Sequence, residues 1–134
     1  MKRPKMILFD YGQTLVNEAR FDGVKGSGEV LKYAVVNKYG LSAEQVQARA
    51  DELNREMGRF DPAMRHLNRI EIPNHMFTAY LYESLGIRLS LSSEETDAVF
   101  WDAAAPGKPT DGIEEFLGYL NEAGIRSGVI SNIS

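Results

Sequence analysis

Two short apolar runs, one near each end of the chain, have the pattern of buried β-strands. The first, Met6–Phe9, is continuously apolar and is followed at once by Asp10. The second lies within 127–131 and ends in Ser131. Continuous apolar runs of this length are typical of parallel strands that are buried on both faces. Because the loops after parallel strands hold the ligands of such sheets, Asp10 is expected at the site-forming end of its strand.

The long stretch between these runs has the periodicity of helices. Apolar residues recur at helical spacing from about Val24 to Ala105, and we predict that this stretch is helical throughout. Two capping boxes, in which a serine precedes a glutamine or glutamate by three residues, support the prediction. They are Ser42 with Gln45 and Ser92 with Glu95. The first predicted helix ends near Gly40, and its turns carry Leu31, Ala34, Val35 and Lys38.

The last part of the chain is predicted to form a helix that leads into the second strand. The helix is expected to start at 109–111 and to end at Gly124. Its apolar face consists of Ile113, Phe116, Leu117 and Leu120. This order of elements predicts a parallel α/β core, interrupted by an all-helical insert. The predicted core covers 1–22 and 106–134, and the insert covers 23–105.

Composition and charge exclude several classes of protein. The chain has 134 residues, a formal net charge of -4 and no cysteine. Disulfides, thiolate metal sites and cysteine nucleophiles are therefore excluded. The absence of a basic stripe argues against nucleic-acid binding, and the apolar run before Asp10 is too short for a signal peptide or a membrane span. A cytoplasmic protein that does not bind membranes is expected.

The strand ends carry residues that resemble a known family. Residues 9–15, in which Asp10 is followed four residues later by Thr14, resemble the first motif of the haloacid dehalogenase superfamily. Residues 128–132, an apolar strand that ends in Ser131 and Asn132, resemble its second motif. The helical insert lies where this family has its helical cap, so the resemblance covers essentially the whole chain. It implies a Rossmann-like parallel core with an inserted all-helical cap.

The resemblance also implies a function and a role for each motif residue. It implies a Mg²⁺-dependent phosphatase that acts on a small phosphorylated metabolite. Asp10 corresponds to the nucleophile that forms an aspartyl-phosphate, and it also binds the metal, together with the backbone carbonyl of Gly12. Ser131 corresponds to the catalytic hydroxyl that binds a phosphoryl oxygen. Thr14 and Asn132 are expected to bind the substrate.

One position departs from the family pattern. Phosphatases of the family have an acid-base carboxylate two residues after the nucleophile, where this chain has Gly12. A glycine retains the metal-binding carbonyl and also suits an unusual backbone dihedral angle. The proton could instead come from His66, His75 or the Tyr11 hydroxyl, whereas Gln13 can only form hydrogen bonds.

Gly12 leaves two alternatives to a phosphatase. The first is a binding or regulatory protein with a degenerate hydrolase site. The second is a hydrolytic dehalogenase, whose leaving group needs no proton, although dehalogenases of the family have an aromatic residue at this position. On the insert, Arg59, Arg65 and Arg69 either clamp an anionic substrate or are simply solvated.

The family's lysine and remaining acids follow the second motif, and the sequence ends at Ser134. Two strands with their helices cannot cover both faces of a parallel sheet. We therefore expect the chain to be a fragment. A polypeptide that stopped at Ser134 would be expected to be inactive alone, or to pair with a complementary C-terminal fragment or with another copy of itself.

Overall fold

The computed structural model describes residues 4–59 and 72–131. The chain divides into two compact units, each of which is considered by itself. The first, here called the sheet unit, consists of the residues up to Arg20 and those from Pro106 onward. The second, here called the helical unit, is Phe21–Ala105. The protein is therefore a mixed α/β chain whose inserted unit lies between two segments of the sheet unit.

The described residues form six strands and five helices. In the sheet unit these are β1 (Met6–Phe9), β2 (Val16–Glu18), β5 (Gly107–Pro109), α5 (Ile113–Glu122) and β6 (Arg126–Val129). In the helical unit they are α1 (Gly23–Leu31), β3 (Ala34–Asn37), α2 (Ala43–Glu56), α3 (Asn74–Ser84), β4 (Ile87–Leu89) and α4 (Ser93–Ala104). Within 4–59 and 72–131, none of the helices is long and apolar enough to cross a membrane.

The two predicted strands of the sheet unit pair with each other. β1 and β6 are parallel, and their register sets Met6 opposite Arg126 and Phe9 opposite Val129. A second, antiparallel pair joins β2 to β5, with Val16 opposite Pro109. The predicted parallel pairing is therefore confirmed, and the small parallel sheet joins the beginning of the chain to its end.

The predicted burial of β1 on both faces is wrong. Met6 is 45% exposed and Leu8 is 52% exposed. On the other face, the rings of Phe9 and Phe116 meet edge to face at 6.1 Å, and Leu120 of α5 is only 1% exposed. Helix α5 therefore contacts one face of β1, whereas Met6 and Leu8 on the other face are exposed. Among the described residues, β1 and β6 pair only with each other.

The predicted start of α5 is also wrong. Pro109 belongs to β5, and the helix begins at Ile113. Gly112, which precedes it, has a φ of 76°. This left-handed conformation interrupts a helix and favours glycine. The predicted end is confirmed, since Gly124 adopts a φ of 64° directly after the last turn.

The helical unit has the main hydrophobic core of the described chain. Its most deeply buried members include Val30 of α1, Val46 of α2, Leu81 of α3 and Ile87 of β4, all at most 5% exposed. Helices α1 and α4 approach closely at Gly26, where a Cβ would lie 2.7 Å from the Phe100 ring. A side chain larger than hydrogen would therefore separate these two helices.

Both predicted capping boxes are confirmed. At the start of α2, the Ser42 amide donates to Gln45 Oε1 at 2.9 Å, and the Gln45 amide donates to Ser42 Oγ at 3.4 Å. At the start of α4, the same two hydrogen bonds join Ser92 and Glu95 at 2.8 and 3.2 Å. These bonds satisfy amides that the helix itself leaves without partners, and they fix where each helix begins.

The predicted all-helical insert is wrong, because the helical unit contains a two-stranded antiparallel sheet. Helix α1 ends at Leu31, and the predicted helical residues Ala34, Val35 and Lys38 lie in or beside β3. β3 pairs with β4, with Asn37 opposite Ile87. Adjacent β-branched residues such as Val35 and Val36 lose side-chain freedom in a helix and favour extended backbone. This preference explains why the segment forms a strand and not a helix.

Candidate functional site

The two predicted motifs meet at one edge of the parallel sheet. Asp10 directly follows β1, and Ser131 lies two residues after the end of β6. Phe9 is opposite Val129, and the Ile130 amide donates to the Phe9 carbonyl at 2.9 Å as part of this parallel pair. Both Asp10 and Ser131 are exposed. The structure therefore places a carboxylate and a hydroxyl at the carboxyl ends of neighbouring parallel strands.

The Asp10 carboxylate is held by its own loop. The Tyr11 amide donates a hydrogen bond of 2.8 Å to Asp10 Oδ1. Among the described residues, Oδ2 has no hydrogen-bond partner. One carboxylate oxygen is thus fixed by the backbone, and the other is open to a ligand.

The loop after Asp10 is a tight turn around one carbonyl group. The Tyr11 carbonyl accepts hydrogen bonds from the amides of residues 14–16, at 2.9 to 3.3 Å. Gln13 has a φ of 56°, and its amide donates to the Val16 carbonyl at 2.7 Å. The unusual dihedral angle expected at Gly12 is therefore found at Gln13. Thr14, at the tip of the turn, is exposed to solvent.

A carboxylate lies beside Gly12, although the position itself has no side chain. A Cβ built on Gly12 would lie 3.6 Å from Glu18 Oε2. The backbone of Glu18 is tied to the same loop, because Gln13 Nε2 donates to the Glu18 carbonyl at 3.4 Å. Glu18 could not be identified from the sequence, since its approach to Gly12 depends on the turn and on the direction of β2. No spacing within the motif indicates it.

Thr110 is a second residue that the sequence analysis missed. Its hydroxyl is buried and has no hydrogen-bond partner among the described residues. Its amide donates to the carbonyl of Leu15 at 3.0 Å, which ties the end of β5 to the loop after Asp10. A buried hydroxyl without a partner is uncommon, and it retains the capacity to bind water or a ligand.

The oxygen atoms at this edge suit a magnesium ion. Mg²⁺ is usually held by one or two carboxylates, with water and substrate phosphates completing the shell. The Asp10 carboxylate and the Gly12 carbonyl are ligands of that kind. Within the described parts of the chain, no three histidine or acidic side chains come together as a metal cluster.

The remaining sequence candidates lie either outside the described residues or in the helical unit. Asn132, His66, Arg65 and Arg69 lie outside the described residues. His75 is in the first turn of α3, in the helical unit. The Arg59 guanidinium lies 4.7 Å from the centre of the Phe77 ring and donates to Asn74 Oδ1 at 2.7 Å. Arg59 is thus engaged with protein groups of the helical unit.

Comparisons with known proteins add no family assignment. No model of a known protein family matches the chain. No curated protein matches it either. The function is therefore argued from the residues at the strand ends and from their geometry.

Proposed function

We propose that the protein is a hydrolase that cleaves a small phosphate ester through an aspartyl-phosphate on Asp10, with Mg²⁺ as cofactor. The observation that carries the proposal is the shared edge of Asp10 and Ser131, which the register of Phe9 and Val129 establishes. In this proposal the sheet unit is part of a Rossmann-like core. The helical unit corresponds to the cap that selects the substrate.

The reaction would begin at the oxygen of Asp10 that the loop leaves open. Since the Tyr11 amide binds Oδ1, Oδ2 attacks the phosphorus and the ester P–O bond breaks. The alkoxide leaves and takes a proton from solvent water, and an acyl phosphate remains on Asp10. Water then cleaves the acyl phosphate, which releases inorganic phosphate and restores the carboxylate. Two easier displacements thus replace one difficult displacement.

A bound Mg²⁺ would neutralise charge on the transferring phosphoryl group. Asp10 and the Gly12 carbonyl are the residues proposed to hold it. The chain's own contribution is to orient the nucleophile and to supply hydrogen-bond donors. Ser131 would donate its hydroxyl to a phosphoryl oxygen, while Thr14 and Asn132 would contact the substrate from the adjoining loops.

An assay with the full-length protein tests the proposal. With a generic aryl phosphate and Mg²⁺, we expect turnover that Asp10→Asn abolishes, because the amide cannot act as the nucleophile. Asp111→Asn is the matched control, since Asp111 is another exposed acid of the sheet unit. Full activity in the Asp10→Asn protein would contradict the proposal, as would equal losses in both variants.

Gly12 lacks the acid-base carboxylate and so favours one second candidate function. In it, the protein is a binding or regulatory protein whose site does not hydrolyse substrate. That candidate predicts no hydrolysis by the wild-type protein, although the strand-end site still binds inorganic phosphate with Mg²⁺. Calorimetry with phosphate, beside the hydrolysis assay, separates the two functions. Binding without turnover selects the second candidate, and turnover selects the hydrolase.

A further inference from the structure

The helical unit contains a cavity of about 750 Å³ that is partly open to solvent. Sites for small organic ligands usually have volumes of roughly 300–1,000 Å³. The residues that line the cavity come from α1 to α4 and their connections, and they include neither Asp10 nor Ser131. Its chemistry can therefore be considered independently of the strand-end site.

Aromatic rings form one wall of the cavity. The ring of Phe21 lies 6.2 Å from that of Phe100 and 5.7 Å from that of Trp101. Phe100 and Trp101 meet edge to face at 5.6 Å. Ring faces carry partial negative charge, so such a wall favours an apolar body and also attracts a cation.

Two carboxylates also line the cavity, and each has hydrogen-bonding capacity to spare. Thr78 donates its hydroxyl to Asp97 Oδ1, and Gln47 Nε2 donates to Asp51 Oδ1 at 2.8 Å. A carboxylate can accept about four hydrogen bonds, and among the described residues these are the bonds their side chains accept. Burial raises the pKa of the Asp97 carboxyl, although the hydrogen bond from Thr78 and the charges of His75 and Arg59 partly oppose the shift. An additional donor in the cavity would therefore offset an existing desolvation cost.

The arginines of the lining are already engaged with the protein. Arg59 donates to Asn74 Oδ1 at 2.7 Å and to the Ile72 carbonyl at 3.4 Å, while it also covers the Phe77 ring. Arg55 Nε donates to the Asp51 carbonyl at 3.4 Å. The two carboxylates thus have more unused hydrogen-bonding capacity than the two arginines. This difference favours a hydrogen-bond donor over an acceptor as the polar group of the ligand.

We propose that this cavity binds a small organic amine with an aromatic body, whose ammonium group donates to Asp97 while its ring packs against Phe100 and Trp101. Aromatic packing supplies the apolar contacts. The ammonium group supplies the charge-assisted hydrogen bond that distinguishes an amine from a neutral molecule of the same shape.

The single tryptophan of the chain provides the measurement, because Trp101 lines the cavity. Phenethylamine is titrated into the full-length protein, and Trp101 emission is followed alongside calorimetry. We expect saturable binding that is at least about tenfold tighter than that of the isosteric 2-phenylethanol or of 3-phenylpropionate. Equal binding of amine and alcohol, or tighter binding of the carboxylate, would overturn the proposal. Absence of any saturable binding would overturn it too.

A pair of variants locates the binding. Asp97→Asn retains an acceptor for Thr78 but removes the charge, so phenethylamine should bind at least about tenfold more weakly while 2-phenylethanol is unaffected. Asp102→Asn is the control, since Asp102 is an exposed acid of α4 that does not line the cavity. Unchanged amine binding in Asp97→Asn contradicts the proposal. If that variant does not fold, the comparison of the three ligands on the wild-type protein decides.

Discussion

The backbone amide of Ile130 donates a hydrogen bond of 2.9 Å to the carbonyl oxygen of Phe9. This bond belongs to the parallel pair of Phe9 and Val129, which is the last pair in the register of β1 and β6. The residues that follow it, Asp10 and Ser131, consequently leave the sheet at the same edge. The proposed chemistry depends on this adjacency.

Ser131→Ala should reduce kcat in the aryl phosphate assay by about 10²-fold or more, since loss of one donor to a developing charge typically costs that much. Ser131→Thr keeps the hydroxyl and should retain most of the activity. Steady-state kinetics with Mg²⁺ compares the two variants. Equal activity of the alanine variant and the wild type would exclude Ser131 from the reaction.

Gly12→Asp should increase the hydrolysis rate by about 10²-fold, because a general acid-base group typically contributes roughly 10²–10⁴-fold. The new Cβ fits, since its nearest neighbour is Glu18 Oε2 at 3.6 Å. Gly12→Asn has the same shape without the titrating group and should give no increase. An increase of the same size in both variants would show that the effect is steric.

Gly26→Ala should lower the free energy of unfolding by about 1–3 kcal/mol, the usual cost of overpacking a core. A Cβ at Gly26 would lie 2.7 Å from Phe100 and 2.9 Å from the Ala104 side chain, so α1 and α4 must separate. Gly28→Ala on the same helix meets only Ala43, at 3.7 Å, and should be neutral or slightly stabilising. Urea denaturation measures both. Equal effects of the two variants would contradict the close α1–α4 contact.

Asp97 should make stability depend on pH. Burial raises the pKa of its carboxyl, while the hydrogen bond from Thr78 and the charges of His75 and Arg59 partly oppose the shift. The folded protein then holds this proton more tightly than the unfolded chain. The contribution of Asp97 to stability should therefore fall as pH rises from the unfolded-state pKa, about 3.9, through the higher folded-state value.

Asp97→Asn should remove the pH-dependent loss of stability that Asp97 causes. The stability of this variant relative to the wild type should therefore increase as pH rises from the unfolded-state to the folded-state pKa of Asp97. Urea denaturation at several values between about pH 3 and 7 checks the difference. Asp102→Asn, the exposed acid on the same helix, should leave the pH profile unchanged. Parallel curves for wild type and Asp97→Asn would show that burial does not shift the pKa of Asp97.

Local signals in the sequence predicted much of this fold. The capping boxes at Ser42 and Ser92 correctly place the starts of α2 and α4, since a cap depends on residues only three apart. β3 was mispredicted because its partner, β4, lies about fifty residues further along the chain. Helical periodicity within one segment cannot report such a partner.

In the candidate site, too, local features could be predicted and contacts between distant residues could not. The positions of Asp10 and Ser131 after the two parallel strands could be predicted, because each follows an apolar run that forms a strand. The approach of Glu18 to Gly12 depends on the turn at Gln13, and the cavity depends on the packing of four helices. Neither relationship has a local signal in the sequence, so only the structure reveals it.

The most direct test of the account is to isolate the covalent intermediate. The full-length protein is mixed with Mg²⁺ and an aryl phosphate, quenched in acid within one turnover and digested with trypsin. We predict a hydroxylamine-labile phosphoryl group on the peptide Met6–Arg20, which contains Asp10, and none in the Asp10→Asn protein. Hydrolysis of the ester without phosphorylation of this peptide, or with a phosphoryl group on another residue, would contradict the account.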